Sequence, residues 1–317
     1  MPLKIHFVTK ATNKLASFRM RIQVPSRLLN YCFDGAVVCT SGNIADTAAD
    51  VNVFSKHFDQ DQILQQIAAK EDFGYKAVFD VCDDHFDRPD GKFYEKMVER
   101  ADLITCNSAN MQERIYEVTG KLARIITDPV SFPTAEPKLH EAGVKPKVMW
   151  FGHNSNLGPL IKVAELNTTP IIAYCEKLFK GLKNIRMLKW NLGEVERAIQ
   201  DYDVIVIPTQ TYKWAKCKSP NRAVDAITSG KFVITDSMDV YSELKDYLMI
   251  VPDLCTREGA LNEALTWWSD NPQKAHDMIV KGQQFIATTY TSDTIINAWI
   301  KVLEELGLIG KEHARSA

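Results

Sequence analysis

Short apolar runs recur along the chain, and longer stretches with helical spacing of apolar residues lie between them. In the first part, residues 5–8, 36–39, 51–54, 77–82, 103–106 and 124–126 predict strands. Runs that are apolar without alternation suit strands covered on both faces, as in a parallel sheet. Residues 63–69, 93–100 and 109–118 predict intervening helices, and Gly120 stops the last of them. Strands separated by helices imply crossover connections and a doubly wound parallel sheet.

The pattern breaks where Pro129, Pro133, Pro137 and Pro146 follow one another. Proline removes backbone donors and fixes φ, so this stretch predicts a linker. A second series follows, with strands expected at 148–151, 171–174, 185–188, 204–207, 232–235 and 249–251. Residues 260–306 predict helices, broken near Asn271-Pro272 and near Thr291. The expected organisation is an α/β protein with two doubly wound, Rossmann-like domains facing a cleft. The first domain is 1–136 and the second 145–290; a final helix within 291–317 returns to the first. Ligands in such sheets bind beyond the carboxyl ends of the strands.

Composition narrows the class. The chain has 317 residues, 45% hydrophobic and 25% charged, with a net charge of −2. That is ordinary for a globular protein and points to neither a nucleic-acid nor a membrane partner. Locally, residues 1–33 hold Lys4, Lys10, Lys14, Arg19, Arg21 and Arg27 and no acid. The seven cysteines form no CxxC pair, which argues against a zinc ribbon and for reduced thiols in a cytoplasmic protein. The start turns polar too soon for a signal peptide, and no run approaches the ~18 apolar residues of a membrane span. No GxGxxG follows the first strand, and neither a P-loop nor a GxSxG elbow occurs. A dehydrogenase, a P-loop NTPase and a serine hydrolase are thereby disfavoured.

Chemistry concentrates after the 204–207 strand. Ser219-Pro220 predicts a helix start with Ser as N-cap, and Gly230 predicts its end. Free N–H groups at such a start make an anion site. Lys218 and Arg222 lie beside it, where a cation costs the helix ~0.3–1 kcal/mol unless an anion sits between. A diphosphate fits, and Asp225, one turn deeper, is placed to accept ribose hydroxyls. The alternative is a solvated basic loop with a surface Arg222–Asp225 pair. A second cluster, Asp83-Asp84-His85, follows the 77–82 strand. These residues are candidates for the base that takes a proton from an acceptor hydroxyl. They also have the chemistry of metal ligands, or of a plain acidic turn.

The order strand, loop, Lys218-x-x-Asn221-Arg222-x-x-Asp225-Ala226, Gly230, strand resembles the donor half of GT-B glycosyltransferases. The likeness is greatest to the large retaining group that includes the sucrose and glycogen synthases. In that group Asp225, usually a Glu, would hold the ribose. Another Glu, which contacts the sugar, often stands where this chain has Cys217. The turn Gly152-His153-Asn154 is similar to the one that lies against the donor phosphate or sugar. The segment 101–108 is similar to the late strand of the family's first domain, and Phe18-Arg19-Met20-Arg21 to its Arg-containing segment. Arg19 and Arg21 would then reach donor phosphates or an anionic acceptor.

The resemblance implies a metal-independent transferase with a nucleotide-sugar donor, such as a UDP-sugar, and no cofactor or bound metal. The acceptor would be a hydroxyl on an envelope glycan or lipid. It would alternatively be a hydroxymethylated base in DNA, since some phage enzymes of this fold modify such bases. A non-catalytic nucleotide-binding relative and a sugar-nucleotide epimerase are the competing readings.

Overall fold

The computed structural model describes residues 1–12, 15–57, 59–209, 213–236 and 239–310; for 213–214 and 239–240 it describes the backbone alone. Lys14 lies outside the described residues. The chain divides into two compact units. The first comprises Met1–Pro129, Lys216–Ser219 and the chain from Tyr290 on; the second comprises Val130–Ala215 and Pro220–Thr289. The excursion of Lys216–Ser219 to the first unit has no counterpart in the apolar pattern.

In the first unit β1 (Leu3–Val8), β2 (Val37–Gly42), β3 (Val51–Ser55), β4 (Lys76–Val81), β5 (Leu103–Cys106) and β6 (Arg124–Ile125) form one sheet. Their order is β2-β1-β3-β4-β5-β6 and every pairing is parallel. The order reverses between β1 and β3, so the chain-end loops of those two strands flank the switch point.

One face is covered partly by the Ser292–Glu305 helix. Ile295, Ile296, Trp299, Ile300 and Leu303 recur at helical spacing and are buried with Ile5 and Phe7. Trp299 meets Phe7 edge to face at 5.7 Å. Thr291 caps the helix through its hydroxyl, which accepts from the Thr294 N–H at 3.1 Å. Arg124 fixes the other end by pairing with Glu305.

His6 is buried on β1. Its Nδ1 lies 2.6 Å from the Thr40 hydroxyl and its Nε2 lies 3.0 Å from the Ile44 carbonyl. The carbonyl can only accept, so Nε2 carries a hydrogen. Burial lowers its pKa, partly opposed by Ile44 and Asp46. The folded state therefore takes up this proton only below the unfolded value of about 6.5, and stability falls as pH falls through that region. Asp128, raised by burial, acts in the opposite sense. A His6→Gln variant isolates the histidine's share. The drop in urea midpoint from pH 7.5 to pH 5.5 is expected to be smaller in the variant than in the parent.

In the second unit β7 (Val148–Phe151), β8 (Ile171–Cys175), β9 (Ile185–Lys189), β10 (Val204–Ile207), β11 (Phe232–Thr235) and β12 (Met249–Ile250) form another parallel sheet. Their order is β12-β11-β10-β7-β8-β9, with the reversal between β7 and β10. Trp150, Leu160, Val206, Phe232, Leu261 and Trp268 belong to its core.

The proline-rich segment is tied down. Ala135 N–H donates to the Thr228 carbonyl at 3.0 Å, and Gln283 donates to the Ala135 carbonyl at 2.8 Å. Gly230 has φ +73°, and a Cβ there would stand 2.8 Å from that same carbonyl oxygen. The close approach and the left-handed backbone both require glycine.

Candidate functional site

The sequence-predicted donor residues fall at the carboxyl end of the second sheet, beside its switch point. The Asn221–Thr228 helix follows β10. Its N-cap is Pro220, with no side-chain capping bond, so the helix starts one residue later than the Ser219-Pro220 pattern predicts. Proline has no donor to lose there, but its side chain satisfies none of the first N–H groups. The end of β7 comes alongside through strand order, although 69 residues separate Gly152 from Asn221 (221 − 152).

Arg222 is half-buried, and its Nη1 donates to the Phe151 carbonyl at 3.4 Å. A Cβ on Gly152 would stand 3.0 Å from the Trp150 ring and 3.1 Å from that Nη1. Glycine at this position thus leaves the space that the guanidinium occupies. Burial lowers the Arg222 pKa, against a weaker pull from Tyr241 and Asp236. Among the described residues no ion pair joins Arg222 to a carboxylate. A desolvated cation held, among the described residues, by one long hydrogen bond is poorly compensated, and an anion would complete it.

Gly152→Ala crowds Trp150 and Arg222 together. The variant is expected to fold and to bind nucleoside diphosphate several-fold more weakly, as calorimetry would show.

His153 and Asn154 have local duties. His153 is exposed; its Nδ1 accepts from Ser155 N–H at 3.3 Å and caps the short turn Asn154–Asn156. Asn154 accepts at 2.9 Å from the Lys177 N–H and holds the loop after β8. Asp225 is 4% exposed, and its carboxylate is committed to the chain. It accepts from Ser131 N–H and hydroxyl, both at 2.8 Å, and from Phe132 N–H at 3.3 Å. The ribose-holding role that the resemblance implies would have to displace these bonds, so Asp225 acts here as an anchor for the linker. Asn221 is half-buried at the first helical position, next to Arg222.

Asp236 and Tyr241 were not legible as site residues. Asp236 follows β11, is buried, and accepts the Thr209 N–H at 2.9 Å as well as the Thr209 hydroxyl. Burial pushes its carboxyl upward, against the Thr209 bonds. A lone acid after an apolar strand was the available signal.

Cys217 and Lys218 group with the first unit, apart from Arg222 in the second. Cys217 is buried, its Sγ 3.9 Å from Asp84 Oδ2 and 3.7 Å from the Asn110 carbonyl. Burial first and Asp84 second push its thiol up to about 12, so it stays protonated. Lys218 is half-buried.

In the first unit, Arg21 is paired inside the chain. It is 3% exposed and lies in the π turn Arg19–Gln23. Its Nε donates to Asp80 at 3.2 Å and its Nη1 to Asp128 at 3.3 Å and to the Ile126 carbonyl. Ser55 and Thr105 hydroxyls complete Asp80, each at 2.8 Å. Burial alone would lower Arg21, but Asp80 and Asp128 raise it overall. This network joins the helical segment to β3, β4, β5 and the chain after β6. Arg19, in the same turn, is half-buried.

The Asp83-Asp84-His85 triplet diverges. Asp83 forms an ion pair with Lys56. Asp84 is 2% exposed, pairs with Arg114 at 3.1 Å and accepts the Phe86 N–H at 3.0 Å. A carboxylate so enclosed is a brace for the turn, not an open base. His85 turns instead to Asp90, 2.7 Å away. The three side chains point to three different partners. Among the described residues no three His, Cys, Asp or Glu side chains converge as a metal-ligand set.

No protein-family model matches the sequence, and a search of curated proteins finds no match. The structure is similar to solved structures of glycosyltransferases. HepE from Anabaena, solved with UDP, is 12% identical, with a TM-score of 0.68 over 95% of this chain and 100% of that one. An alpha-glucosyltransferase, solved with UDP-glucose and DNA containing an abasic site, is 9% identical, with a TM-score of 0.62 over 96% of this chain and 100% of that one. A glycosyltransferase from Rickettsia africae is 9% identical, with a TM-score of 0.64 over 96% of this chain and 98% of that one. The chain therefore has the GT-B fold, with two parallel six-stranded sheets, as the resemblance implied. Among the described residues no helix is long and apolar enough to cross a membrane.

Proposed function

We propose that this protein is a glycosyltransferase that moves a sugar from a UDP-sugar to a hydroxyl acceptor. The observation that carries this is Arg222, a desolvated cation at the switch point of the second sheet with no carboxylate partner among the described residues. A diphosphate supplies the missing anion. The first N–H groups of the Asn221–Thr228 helix add donors on the same side. As the bond between sugar and diphosphate breaks, negative charge grows on the phosphate oxygens. Preorganised donors that meet growing charge are usually the largest catalytic contribution. Gly152 admits the guanidinium, and Asn221 is assigned to the same donor. The chemistry needs no metal ion if Arg222 carries the charge.

Uridine as the base is supported by two of the similar proteins, one solved with UDP and the other with UDP-glucose. A glycan or lipid-linked hydroxyl is the preferred acceptor in this reading. A DNA acceptor would need a basic surface, yet Arg21 is buried and Lys10 is paired with Asp59.

The test is UDP release from UDP-glucose, UDP-galactose and UDP-N-acetylglucosamine. Each would be offered water, simple glycosides and hydroxymethylated DNA. Release by the parent and its loss in Arg222→Ala are expected. Binding of nucleotide without turnover in every mixture would favour the non-catalytic reading instead.

A further inference from the structure

In the second unit the crossover from β8 to β9 differs from those on either side of it, which run through the Leu157–Glu165 and Leu192–Ala198 helices. Parallel strands ordinarily need a dozen or more residues to cross, usually as a helix. Here nine residues (184 − 175) make the crossing, and none of them is helical. The short path leaves Leu178 at 55% and Phe179 at 45% exposure. Scattered apolar side chains on a surface are ordinary. These two are the one sequence-adjacent pair of exposed large apolar side chains among the described residues.

The charges along this stretch are of one sign. Lys177, Lys180, Lys183, Arg186 and Lys189 stand at every third position, all exposed, and residues 177–193 hold no acid. The whole chain, by contrast, has a net charge of −2. Among the described residues none of the five is in an ion pair. Lys183 donates to the Glu165 carbonyl at 3.1 Å, which leaves its charge in place. Glu176, just before the stretch, lies 3.9 Å from His153. Lys189 lines the same hollow as Glu194 and Asp201 and is offset there. The segment is held in shape at both ends. Lys177 N–H donates to Asn154 at 2.9 Å, and the Asn184 amide donates to the Ala164 and Asn167 carbonyls at 3.2 and 2.6 Å. Gly181 turns the chain between them at φ +75°, where glycine carries no steric cost.

We propose that residues 177–183 anchor the protein to an anionic lipid surface, with Leu178 and Phe179 entering the boundary between headgroups and acyl chains while Lys177, Lys180 and Lys183 meet lipid phosphates. Apolar side chains flanked by cations match both layers of such a surface. A nucleic-acid backbone would engage the lysines and leave Leu178 and Phe179 in water. The lipid surface is the partner that uses both halves of the segment. Two side chains bury far less apolar area than a spanning helix, so the contact is reversible. It lies wholly in the second unit and does not depend on sugar transfer.

The experiment sediments the full chain with vesicles of phosphatidylcholine alone and of equal parts phosphatidylcholine and phosphatidylglycerol, at low and at high salt. The parent is expected to bind the mixed vesicles, to bind them less at high salt, and to leave the neutral vesicles largely alone. Lys177→Gln and Lys180→Gln should each weaken binding roughly fivefold. The double variant Leu178→Ser with Phe179→Ser should abolish it. Urea midpoints of these variants should match the parent, since all four side chains are exposed. Hydrogen exchange on the parent locates the contact without any substitution, and the mixed vesicles should protect the amides of residues 177–183. Failure of the parent to sediment with the mixed vesicles overturns the proposal, as does protection that spares residues 177–183. Unchanged binding by the double variant overturns it too. Binding to duplex DNA in place of vesicles would assign the cations to nucleic acid and overturn it as well.

Discussion

Replacing Arg222 with alanine is expected to weaken UDP binding roughly 10- to 100-fold while leaving uridine binding unchanged. The magnitude is that of hydrogen bonds to a charged group, about 1.5–3 kcal/mol. The contrast between UDP and uridine arises because Arg222 has a charge to offer and the nucleoside has none. The unliganded protein should lose no stability. Its guanidinium is desolvated and keeps, among the described residues, one long bond to the Phe151 carbonyl, so its removal relieves a cost. Arg222→Lys should fall between, since lysine keeps the charge and loses the planar fork. Calorimetric titration with UDP and uridine, beside urea melts, reads all of these. An equal loss for both ligands would move Arg222 from the phosphate to the nucleoside or to folding.

Arg21→Met should do the reverse, lowering stability by about 3–5 kcal/mol with UDP affinity unchanged. Removing one partner of a buried ion pair leaves uncompensated charge behind. Here Asp80 and Asp128 would both be stranded, each buried with Arg21. Asp80 keeps the Ser55 and Thr105 hydroxyls, which limits the damage at that carboxylate. A urea melt gives the loss, and titration of the folded variant gives the affinity. Normal stability with lost UDP binding would restore the phosphate role that the resemblance implied for Arg21.

The two-sheet fold was legible because its central strands are buried on both faces. VMWF, VIVI, FVIT and LITC are continuous apolar runs, and only a covered parallel sheet accommodates them. The candidate site was legible in pieces. Gly152 and Arg222 each stood out, and strand order, which the runs do not encode, brings them together. Asp225 misled because its partners are main-chain N–H groups of the linker, 94 and 93 residues earlier. A capped acid and a waiting acid look alike on a helix face. Arg21 misled for a similar reason, with Asp80 lying 59 residues away inside the strand KAVFDV.

The most direct test of the central claim is thermal stability in the presence of UDP, UDP-glucose, UMP, uridine and the corresponding adenosine and guanosine nucleotides, each with and without EDTA. A ligand at a hundredfold excess over its dissociation constant adds ~2.7 kcal/mol to the native state. The account predicts stabilisation by UDP and UDP-glucose, little by uridine, no effect of EDTA, and loss of the UDP shift in Arg222→Ala. Stabilisation by no nucleotide, or a UDP shift that survives in Arg222→Ala, would contradict it.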